Sequence, residues 1–179
     1  MSKKTRIIIF FVFMGLFSLA YQIGSMSEVS EEDARLFMEE FEAMIGEIDA
    51  IGIFLHNSGL ALLMFVPGFG IAWGFFTAGS TGYAFAAIVS LTPALSEIPA
   101  LALLYLSPFG LMELVAYSIG TSRSFILIHM IIKKINLKTA LRPTIIEIGI
   151  VIGLLLAGGF LEDYMIKLAE ESGFKFGGS

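Results

Sequence analysis

Cysteine is absent from this 179-residue chain. Its absence excludes a disulfide framework, a thiolate metal site and a cysteine nucleophile. Charged residues are scarce, at 15% of the chain, and only two histidines are present. Two histidines far apart in the sequence do not make a metal-ligand set, so we expect neither a metal nor another cofactor. These absences argue against an enzyme.

Apolar residues dominate the composition. They make up 56% of the chain, and the mean hydropathy is +0.86. Several apolar runs are long, and about 20 helical residues are enough to cross a hydrocarbon core about 30 Å thick. We therefore predict an all-α integral membrane protein of the cell (plasma) membrane, with about five transmembrane helices and the lipid bilayer as its main partner.

Charge is distributed unevenly along the chain, which has a net charge of −5. Acidic residues concentrate in residues 28–49, and one basic cluster, MSKKTR, opens the chain. The second basic cluster comprises Lys133, Lys134, Lys138 and Arg142. The positive-inside rule puts both basic clusters in the cytoplasm and the acidic segment outside. This pattern gives no indication of a nucleic-acid partner.

The first predicted segment, residues 1–24, is an N-terminal membrane anchor helix, because an apolar run follows the basic start. A cleaved signal peptide is the alternative, since the small-x-small triplet Ser18-Leu19-Ala20 resembles a cleavage site. The basic end is cytoplasmic in both interpretations.

Residues 25–54 are predicted to form an acidic amphipathic helix outside the cell. Ser30 followed by acidic residues is typical of a helix start. Apolar residues then recur at helical spacing at Ala34, Phe37, Phe41, Met44, Ile48, Ile51 and Leu55. This stripe is expected to pack on the protein's own helices or on the membrane interface. The alternative is a coiled-coil contact with a second copy or a partner.

A four-helix membrane core is predicted over residues 55–163. Its first helix covers residues 55–79, opens with His56 and Asn57, and is expected to kink at Pro67. Small residues fall four apart at Gly70, Gly74, Ala78 and Gly82. Small residues at that spacing let another helix approach closely.

A turn is expected at residues 79–82, GSTG, before a helix over residues 83–95. Pro93 and Pro99 then interrupt the apolar sequence around Glu97. Non-helical backbone at membrane depth is tolerated where it is buried in protein or lines a cavity. A bent or re-entrant piece is therefore predicted over residues 98–106.

Glu113 is a carboxylate within an apolar helix that Pro108 begins and that is predicted to end at Ile132. A charge near the middle of a bilayer costs at least about 2.5–3.5 kcal/mol, so Glu113 is expected to face protein or a wet cavity. Small or polar residues share its helix face at Gly110, Tyr117, Gly120 and Ser124.

The last membrane helix is predicted over residues 144–161, after Pro143. Its Gly149, Gly153 and Ala157 repeat the close-packing spacing. Glu162 and Asp163 mark its outer end. Residues 164–179 are predicted to form a short amphipathic tail, so the C-terminus is extracytoplasmic.

Two short elements resemble a known family. His56-Asn57 stands where the stage II sporulation protein M family has paired asparagines, and Pro108-Phe109-Gly110 followed by Glu113 stands where it has Pro-His-Gly and a glutamate. Asn57, Pro108, Gly110 and Glu113 match, whereas His56 and Phe109 depart from the pattern. The resemblance covers roughly residues 53–161. It implies a multi-pass, non-enzymatic scaffold that in sporulating bacteria recruits or holds cell-wall hydrolases.

Two functions follow as hypotheses. The first is a scaffold or assembly protein that acts as a homo-oligomer or in a membrane-protein complex. The second is a small transporter, channel or lipid-handling protein, because carboxylates inside membrane helices often mark such pathways. Its candidate polar residues are His56, Glu97, Glu113, Tyr117, Arg123 and Glu147. An intramembrane hydrolase using Ser58 or Ser80 is a weak third hypothesis, since the two histidines are expected at opposite membrane faces.

Overall fold

The computed structural model describes residues 2–45 and 49–171, and within them every regular element is a helix. The helices are α1 Lys3–Ser25, α2 Glu31–Ile45, α3 Ala50–Leu63, α4 Phe69–Leu91, α5 Ala100–Leu106, α6 Pro108–Ile132 and α7 Lys138–Glu171, with a 3₁₀ turn at Pro93–Glu97. The predicted all-α fold is confirmed. Four helices, α1, α4, α6 and α7, are long and apolar enough to cross a membrane.

The bundle has a basic end and an acidic end. α1 begins at Lys3, α6 ends at Ile132 and α7 begins at Lys138, and contacts between these three helices place the two basic clusters at the same end. α2 lies at the other end, where Phe37 packs against Tyr83 near the end of α4. We call these the basic end and the acidic end.

Helix α6 runs through the middle of the bundle. It contacts α1, α3, α4, α5 and α7, and more of its residues are buried than of any other described helix. α1 and α7 both run antiparallel to it: Phe17 packs on Tyr117, and Gly158 lies beside Met112. α6 has the bounds predicted from the sequence, and Ser107 caps its start by accepting a hydrogen bond from the Gly110 N–H at 3.1 Å.

The chain reverses direction between α3 and α4, so the prediction of one helix over residues 55–79 is wrong. α3 ends at Leu63 and α4 begins at Phe69. Pro67 supplies no backbone N–H, and Gly68 adopts φ +77°, a conformation that favours glycine. α3 and α4 therefore form a hairpin whose bend, residues 64–68, points toward the basic end.

The turn predicted at residues 79–82 is also wrong, because α4 continues through it to Leu91. The glycines of this segment instead let helix α1 approach α4 closely. A Cβ on Gly82 would overlap the carbonyl oxygen of Tyr21, and a Cβ on Gly24 would overlap that of Gly79. α1 and α4 therefore pack with their backbones in contact, which is how small residues bring apolar helices together.

The break predicted before α6, with a bent piece over residues 98–106, is present but begins earlier than expected, because α4 ends at Leu91 and not at residue 95. A 3₁₀ turn over Pro93–Glu97 and the short helix α5 separate α4 from α6. α5 is held to α1 by a 2.7 Å hydrogen bond between the hydroxyls of Tyr105 and Ser18.

Helix α7 is longer than predicted and does not begin at residue 144. It starts at Lys138, includes Pro143 and continues to Glu171. Pro143 lies in the second turn of α7 and has no N–H to donate to the carbonyl of Thr139, four residues earlier. Both residues are exposed, so water can reach that carbonyl. The predicted tail over residues 164–179 is helical as far as Glu171, and its remainder lies outside the described residues.

The acidic segment forms helix α2, as predicted, but not one stripe into residues 51–55. Ser30 accepts a hydrogen bond from the Asp33 N–H at 3.1 Å, and Ala34 is fully buried. Asp49 starts a new helix by accepting from the Gly52 N–H at 2.7 Å, and Ile51 and Leu55 are exposed. The side chains of Phe41, Met44 and Ile48 lie outside the description.

The two predicted packing stripes are placed differently. Gly70, Gly74, Ala78 and Gly82 on α4 are buried, with Gly74 against Thr121 of α6. Gly149, Gly153 and Ala157 on α7 are exposed, and no atom of the described chain lies within 4 Å of a Cβ added at either glycine. α7 instead approaches α3 at Gly159, where an added Cβ would lie 2.9 Å from the Ala50 carbonyl oxygen.

These contacts predict opposite effects for two glycine substitutions. Gly82→Ala would force α1 and α4 apart and is expected to cost about 1–3 kcal/mol, as overpacking does. Gly149→Ala meets open space and is expected to be neutral or to stabilise by up to about 1 kcal/mol through helix propensity. Thermal unfolding in detergent, followed by helical circular dichroism, measures both. Equal midpoints for the two variants would contradict the α1–α4 contact.

Candidate functional site

A stretch of small polar residues, GTSRS at 120–124, lies buried in the middle of the bundle on α6. Two hydroxyls of this stretch and that of Ser118, just before it, donate to backbone carbonyls of the same helix: Thr121 to Tyr117, Ser122 to Ser118 and Ser118 to Leu114. Because these hydroxyls donate within α6, the buried residues pack closely without a need for water.

An ion cluster joins three helices toward the basic end. Glu147 of α7 accepts hydrogen bonds from Arg6 Nε of α1 at 2.8 Å and from Arg123 Nε of α6 at 2.6 Å. Arg123 Nη2 also donates to Glu147, and Arg6 Nη1 donates to Ser122 Oγ at 2.8 Å. We call Arg6, Ser122, Arg123 and Glu147 the arginine–glutamate network.

The network lies inside the bundle. The side chain of Arg123 is 5% exposed, and those of Glu147 and Arg6 are 16% and 18% exposed. A buried charge is costly unless it is paired and hydrogen-bonded, and both arginines meet that condition through one carboxylate. The network therefore fixes α1, α6 and α7 relative to one another.

A second polar pair joins α3 to α6 nearer the acidic end. Asn57 Nδ2 donates to Glu113 Oε1 at 2.6 Å. Glu162 of α7 lies close enough to Glu113 to interact with it electrostatically, and Tyr117, one turn along α6 from Glu113, interacts electrostatically with both carboxylates. We call Asn57, Glu113, Tyr117 and Glu162 the carboxylate cluster.

Sequence reasoning identified part of each cluster. It singled out Asn57, Glu113 and Tyr117, which the structure brings together, and Arg123 with Glu147, which form an ion pair. It missed Arg6, which was assigned to the basic start of the chain, and Glu162, which was taken as a helix-end marker. The sequence does indicate that Arg6 could lie at the edge of the bundle, because this residue immediately precedes the apolar run of α1.

The remaining predicted residues lie elsewhere. Glu97 is exposed in the 3₁₀ turn, away from Glu113, and His56 is half-buried on α3. Pro108 and Gly110 open α6, where a Cβ on Gly110 would lie 2.6 Å from Ser107 Oγ. Among the described residues no three His, Asp or Glu side chains are grouped so that they could hold a metal ion.

Comparisons with known proteins identify no relative. No protein-family model, no curated protein and no solved structure matches the chain. The resemblance to the stage II sporulation protein M family at Asn57, Pro108, Gly110 and Glu113 therefore stays a prediction.

The arginine–glutamate network predicts a graded loss of stability. Arg123→Met leaves a buried carboxylate with Arg6 as its remaining partner and is expected to cost about 1–3 kcal/mol. Arg6→Met is expected to cost less, because Arg6 is the more exposed arginine. Unfolding in detergent–denaturant mixtures measures both.

The control is Lys167→Met, which breaks an ion pair with Asp163 in which the lysine side chain is 62% exposed. Such a pair contributes at most about 1 kcal/mol. In addition, the double variant Arg123→Met, Glu147→Met should lose less stability than the sum of its two single variants. Additive losses would show that the two residues are not coupled.

Proposed function

We propose that the chain is a multi-pass plasma-membrane protein with the basic end in the cytoplasm. Four helices are long and apolar enough to span, and the positive-inside rule gives their orientation. α3 has 14 residues, about 21 Å of helix, which is shorter than a hydrocarbon core about 30 Å thick. The bend at residues 64–68 lengthens the segment that lies in the membrane. No charged residue occurs in residues 50–96, which suits a hairpin placed in the membrane.

This topology predicts which engineered cysteines a membrane-impermeant maleimide can reach from outside the cell. Glu31→Cys and Glu171→Cys should be labelled in intact cells, whereas Lys4→Cys and Lys133→Cys should be labelled only after permeabilisation. The chain has no native cysteine, so the label has no background on this protein. Protection of Glu171→Cys in intact cells would contradict the proposed orientation.

Within this topology, we propose that the protein is a non-enzymatic scaffold. The observation that carries this proposal is the pairing of interior charged groups across helices. Arg6, Arg123 and Glu147 bind one another, and Asn57 binds Glu113. These groups bond to one another across helices and hold the helices in place, which supports an assembly role over catalysis or conduction.

The surface that a scaffold would offer outside the cell is helix α2. Ala34 and Phe37 face the bundle, while Glu31, Glu32 and Glu39 are exposed. A long-lived partner is expected to present basic residues to this face, because complementary charge directs association. The resemblance to the stage II sporulation protein M family supports the same class of function.

A photoreactive amino acid at position 39 on α2 is expected to crosslink to one extracytoplasmic partner in living cells. Position 76 on α4 is the matched control, since Phe76 is 64% exposed on the apolar face of a spanning helix and should crosslink to lipid. Replacing Glu31 and Glu32 with Lys should lower the yield at position 39 several-fold.

The scaffold proposal fails if position 39 yields no protein adduct above the level at position 76. It also fails if purified protein in liposomes moves ions or labelled lipid above empty controls in a way that Glu113→Gln abolishes.

Transport is the second candidate function, because two carboxylates, Glu113 and Glu162, lie near each other inside the bundle. Paired carboxylates within a bundle recur in proton and ion pathways. The interrupted hairpin α3–α4 adds support, since broken helices form substrate sites in transporters. The liposome assay described for the scaffold separates the two functions.

A further inference from the structure

A groove opens at the basic end between α1, α6 and the start of α7. It has a volume of about 420 Å³. Its polar side is formed by Ser2, Lys3, Arg6, Arg123 and Thr139. Lys3 is exposed, whereas Arg123 is buried, so the cationic side chains run from the surface into the bundle.

The groove carries a surplus of positive charge. Lys3, Arg6 and Arg123 contribute three positive charges, and Glu147, which binds both arginines, contributes one negative charge, which leaves two in excess. α1 begins at Lys3 and α7 at Lys138, so the N-termini of two long helices also lie at this groove. A helix N-terminus favours an anion through the helix dipole.

The groove also has an apolar lining. Ile7, Ile126 and Met130 belong to this lining, and Ile7 is 56% exposed, so the apolar lining continues onto the outer surface of α1. A soluble anion would contact only the cationic side. A molecule with an anionic head and a hydrocarbon chain would contact both.

We propose that this groove binds an anionic phospholipid, with its phosphate between Lys3 and the two arginines and its acyl chains along Ile7 and Met130. The inference rests on the proposed membrane location, in which the basic end faces the leaflet where anionic lipids are enriched. Basic pockets between membrane helices on that side suit such headgroups. The lipid would hold α1 against α7 at the end where the arginine–glutamate network already joins them.

Native mass spectrometry of the purified full chain, delipidated and mixed with equimolar phosphatidylglycerol and phosphatidylcholine, tests the proposal. The wild-type chain should retain one phosphatidylglycerol in preference to phosphatidylcholine. Lys3→Gln should weaken phosphatidylglycerol binding about fivefold, since one lysine near a lipid surface contributes about that factor. Lys4→Gln makes the same charge change one residue away, outside the groove lining, and should change binding less than about twofold.

Met130→Trp is a second variant, which fills the apolar lining without a change of charge and should also reduce phosphatidylglycerol retention. Equal retention of the two lipids, or equal effects of Lys3→Gln and Lys4→Gln, would overturn the proposal. Displacement of the lipid by an equal concentration of glycerol 1-phosphate would assign the groove to a soluble phosphate and also overturn it. If the chain stayed dispersed in buffer without detergent, the proposed membrane location would fail. That result is distinct from a failure of lipid binding in this groove.

Discussion

The pairing of Glu147 with two arginines constrains how α1, α6 and α7 are arranged. One carboxylate must face α1 and α6 together, so the rotation of α7 about its axis is fixed. With 3.6 residues per turn, the same face of α7 then presents Val151, Leu155, Gly158 and Glu162, of which the first three are buried. Gly149 and Gly153 fall on the opposite face. The exposure of that small-residue stripe is therefore a consequence of where Glu147 points.

The hairpin α3–α4 depends on the small residues of α6. Gly120 lets Met64 and Ala61 approach, and Gly74 fits against Thr121. A bend in apolar surroundings leaves backbone carbonyls in need of donors. Ser124 Oγ donates to the Val66 carbonyl at 2.6 Å, and the Gly70 N–H donates to the same oxygen at 2.8 Å. The bend is thus satisfied by α6 and by the first turn of α4, without charged side chains.

Hydrophobic run length and helix-start residues predicted the all-α fold, the bounds of α6 and the Ser30 cap of α2. They failed where tertiary contacts decide the outcome. GSTG has the composition of a turn, but in α4 its glycines admit the backbone of α1. Pro67 was expected to kink a helix, yet Gly68 at φ +77° lets the chain reverse. A one-dimensional pattern contains no information about which neighbouring helix a glycine will meet.

The same limit applies to the candidate site. Glu113, Arg123 and Glu147 were found from sequence because a charge within an apolar run requires an explanation. Their partners were not all found, because Arg6 is separated from Glu147 by 141 residues and the pairing depends on how the helices are arranged. Charged residues at helix ends, such as Arg6 and Glu162, resemble interface residues in sequence. Only the packing of α1 and α7 against α6 shows that both turn inward.

The two polar clusters differ in what they can do. In the arginine–glutamate network a carboxylate meets permanent cations, and the surplus of positive charge lies at the basic end. In the carboxylate cluster Glu113 accepts a hydrogen bond from the neutral amide of Asn57 on α3, a helix that packs on both α6 and α7. α3 has only 14 residues, and the hydrogen bond from Asn57 ties it to α6. Because that bond joins two helices instead of leading toward either end of the bundle, the position of Glu113 favours a role in holding α3 over a role in passing protons.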